Sequence, residues 1–537
     1  MNRRDLIKAL GLMGASLTMP PLLGRQGFAA NISQRELLNA RAIINGEIDF
    51  IAPASLPTVI NVFMYGGPSE LAGNLLNIEE ITGPVGSKGK SQNDYKAARQ
   101  DITQPFTAAT NTGQVTSNFL WKNAGGLIME DLLSAKQMSL YRTINRVQGA
   151  SKAHRECIFT NQTGGLATTN APGMGTTLAA ILRVKMPQVF DIPDKAPIMP
   201  FVSFEGETVM YDLGDIDLPV HLRSLSLGAD LKNPYSYARA FNGSNPDPVC
   251  VTDSQVKSCS SMLEQLAQSV SGGYSTHYGK YVNSFSKRID VDEKFNTRFK
   301  DMTLRMPTTI TGGGPFGDFP TANTVAPTSF LQGTTPINQG TLNFSNGFGI
   351  ALRNAVLFAL LNKDTRFITL STGGLGGWDD HDNSIFKYEQ RMLSMLSDLR
   401  NAVRLLRTGT ATAGSAGAVL DGNARNDVVI NVFGEFGRNV NLNDSLGWDH
   451  GNNMNLYTFG GSAIPGRVLG QVVGTTKIID EGGQNRLYTT PDLANDARTF
   501  QPYSIAATVY KYFGVQNPNV LTADAVLAPN GYGPIDG

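Results

Sequence analysis

Two short segments of this chain concentrate acids and imidazoles. One reads Gly373-Gly374-Leu375-Gly376-Gly377-Trp378-Asp379-Asp380-His381-Asp382; the other reads Gly447-Trp448-Asp449-His450-Gly451-Asn452-Asn453, shortly after Gly434-Glu435-Phe436-Gly437-Arg438. The whole chain holds 5 histidines, and two of them stand beside aspartates in these glycine-rich stretches. Carboxylate and neutral imidazole are good ligands for zinc, calcium or a similar divalent metal. Asp379, His381, Glu435, Asp449 and His450 are therefore candidate ligands for one or two such cations. Arg438 offers a planar fork for phosphate, sulfate or carboxylate; equally, it pairs with Glu435 across the turn. The chemistry this set suits is metal-assisted hydrolysis of a charged ester. For either segment alone a plainer reading serves, with Asp382 or Asn383 capping a helix and His381 on the surface. The repetition argues for one shared site.

A third cluster is less specific. Arg142, then Ser151-Lys152-Ala153-His154-Arg155 and Asn161-Gln162-Thr163-Gly164-Gly165, could bring a hydroxyl nucleophile, a histidine and cations to one edge. It also reads as a plain turn entering a basic helix. Ser151, His154 and Arg438 are the candidate catalytic residues. His221 and His277 have no neighbours that suggest chemistry. Cys250 and Cys259 stand nine positions apart in a polar stretch, a spacing that allows a local disulfide in an oxidising compartment; Cys157 is then a buried small hydrophobe.

Elements that would position these groups are legible. Residues 58–65 (TVINVFMY) form a continuous β-branched run ending in Gly66-Gly67-Pro68, as in a buried parallel strand entering a loop. Further strands are expected at 138–145, 198–204, 366–371 and 427–433, and helices at 348–361, 384–407 and 503–513. Such alternation predicts an α/β three-layer sandwich, its mostly parallel central sheet flanked by helices. Functional groups then collect beyond the carboxyl ends of the strands. Polar, glycine-rich stretches near 80–118, within 230–345 and at 408–426 read as long loop insertions in a single large domain, residues 31–537.

The chain opens Asn2-Arg3-Arg4-Asp5-Leu6-Ile7-Lys8, followed by an apolar stretch and Phe28-Ala29-Ala30. Residues 1–30 thus read as a twin-arginine signal peptide. The apolar stretch is too short, and too interrupted by glycine and proline, for a stable span of about 30 Å, so no permanent membrane span is expected. The twin-arginine translocase is the expected partner during export, and the destination is the periplasm, the cell surface or the medium of a bacterium. Losing four cations and one acid with the leader takes a formally neutral chain to about −3, which gives no footprint for nucleic acid.

On these residues the chain resembles the bacterial family numbered 1501 among the domains of unknown function, within the alkaline-phosphatase and sulfatase-like superfamily. The resemblance rests on Gly66-Gly67-Pro68-Ser69, Gly377-Trp378-Asp379-Asp380-His381, Glu435-Phe436-Gly437-Arg438 and Asp449-His450-Gly451. It implies an alkaline-phosphatase-like fold, metals at the carboxyl edge of the sheet, and a hydroxyl attacking phosphorus or sulfur. Asp449-His450 and the Asp379/His381 loop would match the superfamily's metal ligands. An extracellular anionic ester or polysaccharide is the implied substrate. Where most relatives continue Gly-Gly-Pro-Ser-His with aspartates, this chain has Glu70-Leu71-Ala72-Gly73-Asn74, and no sulfatase Cys/Ser-x-Pro-x-Arg motif is present. A non-catalytic envelope or surface binding protein that keeps the fold with a degenerate metal site is the alternative.

Overall fold

A computed structural model describes residues 47–70, 120–145, 152–165, 171–226, 347–408, 425–479, 486–490, 500–522 and 534–535, apart from 122–123, 192–196, 215, 217, 444 and 446. The leader, Ser151, His277, Cys250, Cys259, and the insertions near 80–118 and 230–345 with most of that at 408–426 lie outside the described residues.

In chain order the strands are β1 (Thr58–Met64), β2 (Met138–Asn145), β3 (Phe201–Ser203), β4 (Leu225–Ser226), β5 (Phe367–Ser371), β6 (Val428–Gly434), β7 (Gly437–Leu442), β8 (Trp448–Gly451), β9 (Asn453–Gly460) and β10 (Val472–Val473). The helices that matter here are α1 (Gly126–Ser134), α2 (His154–Thr163), α3 (Met174–Lys185), α4 (Gly347–Leu361), α5 (Ser384–Thr408) and α6 (Ser504–Tyr512). Eight strands form the central sheet in the order β10-β2-β9-β6-β1-β5-β3-β4. The pairs β6–β1, β1–β5, β5–β3, β3–β4 and β2–β10 are parallel; β9 alone runs against its neighbours β2 and β6.

Burial explains why the middle strands are unbroken apolar runs. Every residue of β1 and β6 is buried, because helices cover both faces. Ile60, Val62 and Met64 point into a core shared with α1, α4 and α5. Val59 and Phe63, one step out of phase, point into a second core shared with α3 and α6. A one-residue slip would exchange the two faces. On α5, Tyr388, Met392, Leu396, Leu399, Val403 and Leu406 recur at helical spacing and are all buried.

A polar row crosses the second face at mid-strand. Arg467 donates to Thr458 Oγ1 (2.8 Å), Thr458 to Asn431 Oδ1 (2.9 Å), Asn431 to Asn61 Oδ1 (3.2 Å), and Asn61 reaches Met174 Sδ (3.4 Å). Each step has one donor and one acceptor, as buried polar groups require.

The expected strand at 198–204 is confined to Phe201–Ser203. Met199 takes a left-handed φ of 50°, and the Pro200 carbonyl accepts the amides of both Arg366 and Phe367, so extended pairing starts only after the proline. Strand β9 was not foreseen in the sequence. Among the described residues no helix is long and apolar enough to cross a membrane.

Candidate metal centre

Strands β1, β5 and β6 end at one edge of the sheet. Because β9 is antiparallel to both β6 and β2, strand β2 ends at that edge too, and β9 begins there. The segment after β2 leads to His154 at the start of α2, the segment after β5 carries Asp379 and His381, and β8 delivers His450 just before β9. Three histidines far apart in sequence therefore meet around one carboxylate.

Asp379 is the hub. Its Oδ1 lies 3.1 Å from His381 Nε2 and 3.2 Å from His450 Nε2, and its Oδ2 lies 3.3 Å from His154 Nε2. The ligand atoms of His154, Asp379 and His450 all fall within 4.8 Å of one another. Ligands of a tetrahedral zinc, at about 2.0–2.2 Å from the ion, stand about 3.3–3.6 Å apart, close to the three Asp379 spacings. The rings touch edge-on or tilted: His154–His450 centroids are 4.9 Å apart and His381–His450 5.2 Å. Phe436 lies under His450 at 4.0 Å.

The far side of each ring is committed. His450 Nδ1 is 2.8 Å from the Lys152 carbonyl, His154 Nδ1 is 2.7 Å from Glu435 Oε2, and His381 Nδ1 is 3.2 Å from Asp449 Oδ1. A carbonyl oxygen only accepts, so His450 Nδ1 carries the proton. Burial, with the nearby Arg438 charge, pulls the His450 pKa below its ordinary value, and the neutral ring this favours has its lone pair on Nε2. That lone pair faces a carboxylate oxygen at 3.2 Å. Two acceptors at that separation need a proton or a cation between them.

The carboxylates divide by environment. Partial burial alone would raise the Asp379 pKa, but the Arg438 charge and hydrogen bond, with His381 and His154, outweigh it and hold the group below the ordinary range. Glu435 is shifted upward by burial, against the His154 and Gly66 hydrogen bonds. Glu435 and Asp449, expected among the ligands, instead stand behind the imidazoles, where such carboxylates fix tautomer and ring orientation. His154, expected as a catalytic base beside Ser151, joins the ligand cluster.

Arg438 also departs from expectation. Its guanidinium is buried at 1% exposure and turned inward, so the reading as a fork for a substrate anion is corrected. Nε donates to the Gly67 carbonyl (2.8 Å), one terminal nitrogen to the Trp448 carbonyl (3.0 Å), and the other to the carbonyls of Gly66 (2.7 Å) and Trp378 (2.8 Å) and to Asp379 Oδ1 (3.0 Å). Its ion-pair partner is Asp379 rather than Glu435.

Local structure holds the loops in place. The Gly66 amide donates to Glu435 Oε1 (2.7 Å), and a Cβ at Gly66, whose φ is 107°, would overlap the Asp379 backbone. The Trp378 amide donates to the Tyr65 carbonyl (3.0 Å) and its buried indole to Thr372 Oγ1 (2.7 Å). Asn161 Nδ2 donates to the Gly434 and Glu435 carbonyls (2.6 and 2.9 Å), which docks α2 and so places His154. The sequence singled out His154 and the stretch opening at Asn161, but not the part Asn161 plays in docking α2, nor the Lys152 carbonyl behind His450. Asp382 pairs with Lys387 (2.8 Å) and takes no part in the cluster. His221 sits elsewhere, 2.9 Å from the Phe190 carbonyl. Glu70, next to the first loop, is buried at 1% exposure, accepts from the Asn455 amide (2.7 Å), and is pushed by burial up to about 8.

The family model described as "Protein of unknown function (DUF1501)" matches residues 339–516, which supports the family resemblance. That stretch includes Asp379, His381, Glu435, Arg438, Asp449 and His450, while Gly66 and His154 fall before it. No curated protein matches this chain.

Proposed function

We propose that this chain is an exported member of the alkaline-phosphatase-like superfamily that hydrolyses phosphate or sulfate esters with a divalent metal. The observation that carries the reading is geometric: ligand atoms of His154, Asp379 and His450 all lie within 4.8 Å of one another, with His450 Nδ1 turned to the Lys152 carbonyl and Nε2 to Asp379. The donor set fits a zinc-like cation, with His154, Asp379 and His450 as ligands and His381 placed beside Asp379 to join them. When bound, such a cation supplies Lewis acidity toward an ester oxygen and toward water. Glu435 and Asp449 keep the His154 and His381 rings oriented with Nε2 inward. Lys152 and Arg155 flank His154 in the chain and add positive charge for an anionic ester, the substrate class that fits an extracellular phosphate or sulfate ester or an anionic polysaccharide. Ser151, three residues before His154, is the proposed hydroxyl nucleophile. A twin-arginine route suits this site, since a passenger folded in the cytoplasm carries its metal across with it.

A non-catalytic binding protein is the second reading. It is favoured by Glu70, a buried acid where most relatives of the resembled family carry a histidine. Purified mature chain assayed with p-nitrophenyl phosphate and p-nitrophenyl sulfate, alongside elemental analysis, separates the two. The hydrolase reading expects turnover that chelation abolishes and added zinc restores. Bound cation without turnover of either ester selects the binding protein; neither cation nor turnover removes the metal centre as well.

A further inference from the structure

We infer that Arg438 is a positioning residue that assembles the centre before any cation arrives. This rests on the metal-centre reading only for what the assembled loops are for. The guanidinium spans four stretches of chain: it sits on β7 and bonds to the turn after β1 through Gly66 and Gly67, to the loop after β5 through Trp378 and Asp379, and to β8 through Trp448. Those are the loops that bring Asp379, His381 and His450 together. A buried cation is costly to leave unpaired, so these partners are held to the guanidinium whether or not a metal is present.

The planar fork matters as much as the charge. Arg438 reaches four carbonyls lying on different sides of it, and a lysine ammonium offers a single point with no such spread. One terminal nitrogen bonds both the Trp378 carbonyl and Asp379 Oδ1, so the same group fixes where the hub backbone lies and how its carboxylate turns. Oδ2 is left facing His154. Backbone packing agrees: a Cβ at Gly447 would overlap the His381 carbonyl, so the β8 loop and the Asp379 loop meet directly. A cation entering a site already held this way has little ordering left to impose.

Hydrogen exchange read by mass spectrometry on the mature chain tests this. In chelated wild-type protein the amides of segments 64–70, 376–382 and 447–451 are expected to keep their zinc-bound protection within about twofold. Arg438→Lys and Arg438→Met, with unchanged far-UV circular dichroism, are both expected to lose that protection and to bind zinc at least about tenfold more weakly. Loss of protection in chelated wild type would overturn the inference, because the metal would then be the assembler. So would Arg438→Lys retaining protection and affinity, because charge alone would then suffice. If neither variant folds, the chelated wild-type result decides by itself. Should zinc fail to bind wild type at all, the hydrolase reading falls while protected loops would still uphold the role of Arg438.

Discussion

The polar row across the middle of the sheet and the polar cluster at its carboxyl edge are built from equally hydrophilic side chains, yet they obey different rules. In the row from Arg467 through Thr458 and Asn431 to Asn61, every contact joins a donor to an acceptor. At the edge, Nδ1 of each ring is committed to a carbonyl or carboxylate, and the three Nε2 atoms converge on the oxygens of Asp379. The first arrangement is complete as protein. The second is complete only with added protons or a cation, and the proposed metal centre rests on that difference.

Mutations on the two sides should therefore separate affinity from stability. The largest effect is expected from Asp379→Asn: removing the hub's charge should weaken zinc binding at least about 100-fold. Titration calorimetry with zinc measures it; wild-type affinity in the variant would take Asp379 out of the centre. Glu435→Gln is the next test. It keeps shape but weakens the acceptor behind His154, and competition with a chromophoric chelator should report about a 10- to 100-fold loss of zinc affinity.

In the row the pattern should invert. Asn431→Ala leaves Asn61 and Thr458 without their partner and should cost about 2 kcal/mol in urea unfolding, with zinc stoichiometry and affinity untouched. Glu70 supplies the last test, a dependence on pH. Its folded pKa of about 8 lies above the ordinary 4.5, so the folded state holds the proton more tightly than the unfolded chain. Its contribution to stability is full below pH 4.5 and is lost as pH rises through about 8. Glu70→Gln, which carries no proton to lose, should flatten that decline and be the more stable of the two at pH 9; unfolding curves at pH 5 and pH 9 measure it. An unchanged slope would mean that Glu70 is ionised in the folded protein.

Strand and helix positions were largely legible because burial writes itself into the sequence. The runs at 58–65 and 427–433 are continuously apolar since both faces of β1 and β6 are covered, and the helical spacing from Tyr388 to Leu406 marks the buried stripe of α5. Strand β9 escaped because Asn453, Asn455 and Thr458 interrupt its apolar pattern; those residues are buried and polar for reasons of tertiary pairing that no local period reveals. At the edge, acid and imidazole types identified Asp379, His381 and His450. What sequence could not assign was depth: Glu435 and Asp449 differ from Asp379 in where the fold sets them, behind the rings rather than among the Nε2 atoms. Arg438 carries the same lesson, since a guanidinium suited to a phosphate fits a ring of backbone carbonyls equally well.

The central claim is that the edge cluster holds a divalent cation through Asp379 and at least two imidazoles. X-ray absorption at the zinc edge, on mature chain loaded with zinc at equimolar ratio, tests it most directly. The account predicts nitrogen and oxygen neighbours at about 2.0–2.1 Å with the multiple-scattering signature of two or more imidazoles, lost in Asp379→Asn. A spectrum of hydrated zinc in the wild-type protein, or one that Asp379→Asn leaves unchanged, would contradict it.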